Sequence, residues 1–85
     1  MDEPLTGVTL TREERLLAVL QATYPGWEII YQPGKDGELP WLARRRTPPS
    51  EAQRRAGIRE LVYRTTGEAL GSAVAGMVEI AHYVH

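Results

Sequence analysis

Two alternating apolar runs, separated by turn chemistry, constrain this chain more than any other feature. From Tyr24 it reads Tyr24-Pro25-Gly26-Trp27-Glu28-Ile29-Ile30-Tyr31. Pro33-Gly34-Lys35-Asp36-Gly37-Glu38 follows, and later Trp41-Leu42-Ala43-Arg44-Arg45-Arg46. Period-two runs flanking a Gly/Pro/Asp-rich segment predict a β-hairpin. Trp27, Ile29 and Tyr31 share one face of the first strand, opposite Glu28, Ile30 and Gln32. Leu39, Trp41 and Ala43 share one face of the second, with Arg45 on that side near the strand end. Pro40, Leu42, Arg44 and Arg46 take the other. Pro40 has no N–H for a ladder, so it belongs at the strand start or at an edge. Trp27 and Trp41 are candidate cross-strand neighbours.

Helix signals flank the hairpin. Thr11 and Glu14 form a capping box, and Leu16, Leu17, Leu20 and Tyr24 follow on one helical face. Pro25 and Gly26 end that helix, so it spans roughly Arg12 to Thr23. After Thr47-Pro48-Pro49, a box of Ser50 and Gln53 opens a short helix, Glu51 to Ala56. Gly57 suits its C′ position, with Ile58 as the apolar contact beyond. Glu60 to Arg64 is short and β-prone, a third strand. Thr65 and Glu68 make a third box, and a last helix runs from about Thr66 to Tyr83. Leu70, Val74, Met77, Val78 and Ala81 line its apolar face.

The expected architecture is α+β: a two-layer sandwich ordered helix, strand, strand, short helix, strand, helix, with a three-stranded antiparallel sheet. Residues 1–10 read as a flexible lead-in and 11–85 as one small domain. Gly67, Gly71 and Ala75 form a small-residue line on the last helix, and Gly76 is a further glycine there. Glycine inside a helix costs about 1 kcal/mol against alanine, so such a line implies close backbone approach. A sheet or helix of the same chain is one reading of what approaches. A dimer face is the other.

A chain of 85 residues has a marginal core, and without cysteine neither a disulfide nor a Cys-based metal site can reinforce it. The polar start, with Asp2 and Glu3, lacks the basic and apolar regions of a signal peptide, and no apolar run is long enough for a membrane span. A cytoplasmic protein is expected. Net charge is −1, but residues 44–64 hold seven arginines against Glu51 and Glu60, a net of +5. Arginine outnumbers lysine nine to one, as the codons of a GC-rich genome would produce.

Catalytic chemistry finds no template here. The histidines are His82 and His85, near the chain end; their spacing could serve a metal, but Glu79 is the sole nearby third ligand. Glu28 and Glu60 are conceivable acid–base partners, yet arginines stand near Glu60. Gly34 and Gly37 are turn glycines, not a phosphate loop. No enzyme, catalytic residue, cofactor or metal is expected.

Binding is more open. Arg44 and Arg46 share a strand face, and Arg54, Arg55 and Arg59 come from the following helix and its exit. Folded back beside the hairpin, they would form a basic patch with Trp41 and Tyr63 as stacking partners. The alternative is a basic region neutralised within the chain by Glu13 and Glu14. The element order resembles that of the double-stranded-RNA-binding domain. That family's lysine cluster at the last helix is here Thr65-Thr66-Gly67-Glu68-Ala69, with no basic residue.

Pro25-Gly26-Trp27 and Trp41-Leu42-Ala43-Arg44 carry a closer resemblance, over about residues 13–80, to small uncharacterised proteins of Streptomyces and related actinobacteria. It implies an actinobacterial, cytoplasmic protein and brings no established activity. The leading expectation is a non-enzymatic adaptor or regulatory module that binds a protein, including itself as a homodimer. A nucleic-acid-binding module using the arginine patch is the alternative, and a small ligand-binding domain near Trp27, Trp41 and Tyr63 the second.

Overall fold

Residues 10–33 and 39–85 are described by a computed structural model. The lead-in before Leu10 and the turn over 34–38 lie outside the described residues. The elements are α1 (Arg12–Thr23), β1 (Trp27–Tyr31), β2 (Trp41–Arg45), α2 (Glu51–Arg55), β3 (Leu61–Arg64) and α3 (Gly67–Tyr83). The strands form one antiparallel sheet in the order β1-β2-β3. The fold is α+β, in the expected element order.

The helix ends follow the local chemistry closely. Thr11 Oγ1 accepts the Glu14 N–H at 3.1 Å, and Glu14 Oε1 accepts the Thr11 N–H at 2.8 Å. Ser50 and Gln53 repeat the arrangement at 3.1 and 2.8 Å. At the end of α2 the Gly57 N–H donates to Arg54 O and the Ile58 N–H to Gln53 O, the two bonds of a Schellman motif. Gly57 has φ +108°, a conformation that costs other residues strain, and Ile58 is buried beyond it. The third capping box does not form. Thr66, not Thr65, caps α3, accepting the Ala69 N–H at 3.1 Å. Glu68 instead accepts from Arg12 of α1 at 2.7 Å. With Thr66 as the cap, the third helical position is Ala69, which has no polar side chain to complete a box.

The sheet register corrects one expectation. Trp41 stands opposite Tyr31, and Trp27 opposite Arg45, so the tryptophans lie at opposite ends of the hairpin. Tyr31 and Trp41 stack with ring centroids 4.6 Å apart. One sheet face carries Trp27, Ile29, Trp41, Ala43 and Val62, all buried. Leu20 of α1 and Leu70, Val74 and Met77 of α3 cover it, so both long helices share that face.

The small-residue line of α3 is filled from within the chain. A Cβ at Gly67 would strike Leu16, and would lie 2.9 and 3.0 Å from two ring atoms of Trp41. At Gly71 it would lie 3.0 Å from Leu20. Ala75 is exposed, and nothing lies within 4 Å of a Cβ at Gly76. Gly67 and Gly71 of the expected dimer face thus lie in a seam between α3, α1 and β2, because close approach here serves the core, and Ala75 alone of the three is left at the surface. Gly76→Ala should therefore stabilise the chain by about 0.5–1 kcal/mol. Gly67→Ala should destabilise it by about 1–3 kcal/mol, since the Trp41 ring cannot yield. Urea unfolding of both variants checks the opposite signs.

Candidate functional site

Alternation on three short strands decides where each candidate residue goes. Arg44 and Arg46 point to the face away from the helices and Arg45 to the helix side, because successive strand residues face opposite ways. No described element covers the outer face. Its central row is Ile30, Leu42 and Tyr63, paired across all three strands, and the neighbouring row is Glu28, Arg44 and Leu61. Tyr63 is 46% exposed and Leu61 43%. Arg44 donates to Glu28 on the adjacent strand.

The expected basic patch is only partly assembled. Arg54 and Arg59 share a shallow groove with Glu60 and Leu61, and Leu61 neighbours Arg44 across the sheet. Three of the arginines hold carboxylates: Arg44 with Glu28, Arg54 with Glu60 at 3.7 Å, and Arg55 with Glu51 at 2.9 Å. Arg46 Nε donates to Pro25 O at 3.0 Å. The neutralising carboxylates are therefore not Glu13 and Glu14, as expected; Glu14 is held in its capping box. These pairs are exposed, so each contributes little to stability, about 0–1 kcal/mol. Their effect is to mix the two signs of charge over this surface. Glu28 and Glu60 each hold an arginine rather than each other.

Trp41 leaves the candidate set. It is 2% exposed, inside the core, and lies on the sheet face opposite to Tyr63. The register forces this, because Leu42, not Trp41, stands beside Tyr63. Tyr63 stays at the surface. Its carbonyl, on the outer edge of β3, accepts from Arg64 Nη1 at 2.7 Å, while Ile29 O of β1 accepts from Gln21 Nε2 at 3.2 Å. Both sheet edges thus carry a side-chain donor that occupies a carbonyl another strand would need.

The chain matches no family model, no curated protein and no solved structure in comparisons with known proteins. Among the described residues, no helix is long and apolar enough to cross a membrane, and no three His, Asp or Glu side chains gather as metal ligands.

Gln53 and Arg45, placed by the sequence only as a cap residue and a strand-end residue, meet beneath the sheet. Gln53 is 9% exposed. Its Oε1 accepts from Ser50 N and from Arg45 Nη1 at 3.1 Å, and its Nε2 donates to Val84 O at 3.0 Å. Arg45 lies half-buried on the helix side of β2 and also donates to Thr47 O at 3.3 Å. Its signal was present in the alternation Trp41, Ala43, Arg45, which puts a charge on the core face. A cavity of about 360 Å³ opens beside it, where α1 ends, β1 begins and the last turns of α3 pass. Its apolar walls include Trp27, Met77, Val78 and Ala81. The three residues expected to share one pocket are separated: Trp27 lines this cavity, Trp41 lines another cleft with Arg12, Leu16 and Tyr31, and Tyr63 lies on the opposite sheet face.

Proposed function

We propose that this chain is a non-enzymatic, cytoplasmic protein-binding module whose contact surface is the outer face of its sheet, and whose partner is a second copy of the chain. The single observation that carries the proposal is the apolar row Ile30–Leu42–Tyr63 with Leu61 beside it. Ile30 and Leu42 are half-buried and Tyr63 and Leu61 exposed, so the row is an apolar strip open to solvent at the β3 side, and such strips are candidate interaction sites. A two-fold dimer sets the same patch against itself, so the patch must be self-complementary. This one has an apolar centre, with Glu28 and Arg44 of opposite sign in the adjoining row. Carboxylate can then meet guanidinium across the axis without like-charge conflict.

The patch is small. Three strands about 4.8 Å apart, two of five residues and one of four, give a footprint of roughly 14 by 17 Å at most. That is well short of the ~800 Å² per partner of a standard stable interface. The expected dimer is reversible and populated only at high protein concentration. Sedimentation velocity over a concentration series should show a shift from monomer to dimer mass. Tyr63→Asp should abolish that shift while leaving the thermal melt within a few degrees, since Tyr63 lies outside the core. A wild-type chain that stays monomeric at the highest concentration, or a dimer untouched by Tyr63→Asp, would refute the proposal. The mixed charge of this surface gives no preference for nucleic acid over protein.

A further inference from the structure

The cavity beside Arg45 is built differently from the rest of the surface. Arg45 uses only Nη1 toward the protein, on Thr47 O and Gln53 Oε1. Its Nε and Nη2 have no acceptor among the described residues, and no described carboxylate lies within ion-pair distance. Nε–H and Nη2–H form the side-on fork that a carboxylate fills with two parallel hydrogen bonds. Two nearby backbone carbonyls are already engaged: Tyr24 O takes the Trp27 N–H, and Val84 O takes Gln53 Nε2.

The surroundings narrow the ligand further. At about 360 Å³ the cavity is near the lower end of the range for small-molecule sites, about 300–1,000 Å³. Trp27, Met77, Val78 and Ala81 offer an apolar wall to one side of the guanidinium. Thr23 and Tyr24 at the end of α1 and His82 in the last turn of α3 bring two helix C-termini to the site. Helix C-termini carry partial negative charge, which favours the arginine but disfavours a multiply charged anion. The same field opposes a single negative charge less than a phosphate dianion, and the apolar wall suits a monoanion carried on an apolar body.

We propose that this cavity binds a small amphipathic monocarboxylate, its head held side-on by Arg45 and its apolar body against Trp27, Met77, Val78 and Ala81. The site lies on the helix side of the sheet, away from the proposed dimer face, and does not depend on it.

Octanoate is a suitable probe, with octanol and octylammonium as controls, titrated into the isotope-labelled full chain and followed by NMR. Octanoate should saturate a site reported by the Trp27 indole N–H, the Ala81 amide and the Arg45 Nε–H. Octanol and octylammonium should bind at least about tenfold more weakly. Arg45→Gln should weaken octanoate by about tenfold or more and leave octanol unchanged. Ala81→Leu should fill the cavity and block octanoate with Arg45 intact. Octanoate that binds no better than octanol, that perturbs Tyr63 and Leu61 instead, or that binds Arg45→Gln as tightly as wild type would overturn the proposal. If Arg45→Gln does not fold, Ala81→Leu decides alone: unchanged octanoate affinity there overturns it equally.

Discussion

Trp41→Ala should remove a large share of the chain's stability. Trp41 is 2% exposed, stacks on Tyr31, and abuts the start of α3 at Gly67. Truncating a buried aromatic to alanine costs about 3–5 kcal/mol through lost transfer energy and the cavity left behind. A chain of this length has about 4–13 kcal/mol of stability in all. The melting temperature should fall by on the order of 20 °C or more, read by circular dichroism. Trp41→Phe should recover much of the loss, because it keeps a ring against Tyr31. If the alanine variant melted within a few degrees of wild type, the packing described around Trp41 would be wrong.

The second large effect is expected at Gln53. Its side chain joins three segments: the start of α2 through Ser50, β2 through Arg45, and the end of α3 through Val84. Gln53→Ala removes all of these bonds at a buried position and leaves partners unsatisfied. Each buried group so orphaned costs about 1–3 kcal/mol, so a total near 2–4 kcal/mol is expected after partial exposure to water. Gln53→Glu separates the contributions. It keeps an acceptor for Ser50 and Arg45 but sets an oxygen against Val84 O. That variant should fold with α2 intact while amide hydrogen exchange accelerates over residues 80–84. Equal protection there in Gln53→Glu and wild type would show that the link to Val84 is not formed in solution.

Both residues show how far the sequence could be read. Trp41 was legible as a strand residue, and its face was legible from the alternation with Ala43. Its neighbour was not. Cross-strand partners depend on register, and the segment from Gln32 to Pro40 connects β1 to β2 without fixing that register by any short-turn rule. Gln53 was legible as the second half of a capping box, because that contact spans three residues. Its bond to Val84 spans 31 residues and leaves no local mark.

The candidate sites divide in the same way. That Arg44 and Arg46 face away from Arg45 followed from the strand period. That Arg44 would meet Glu28, and Arg54 meet Glu60, needed the sheet register and the position of α2. The glycines of α3 signalled close approach, but only packing distinguished Gly67 and Gly71, which are approached, from Gly76, which is not.

The order and type of the six elements, the caps at Thr11 and Ser50, and the glycine turn at Gly57 follow from local residue chemistry. Each depends on contacts a few residues apart, where residue type and period suffice. Packing decided that Trp41 stacks on Tyr31, that Glu68 accepts from Arg12, 56 residues away, and that Arg45 faces a cavity lined from α1, β1 and α3. Those outcomes depend on which distant surfaces bury one another, and burial is a property of the whole packed chain.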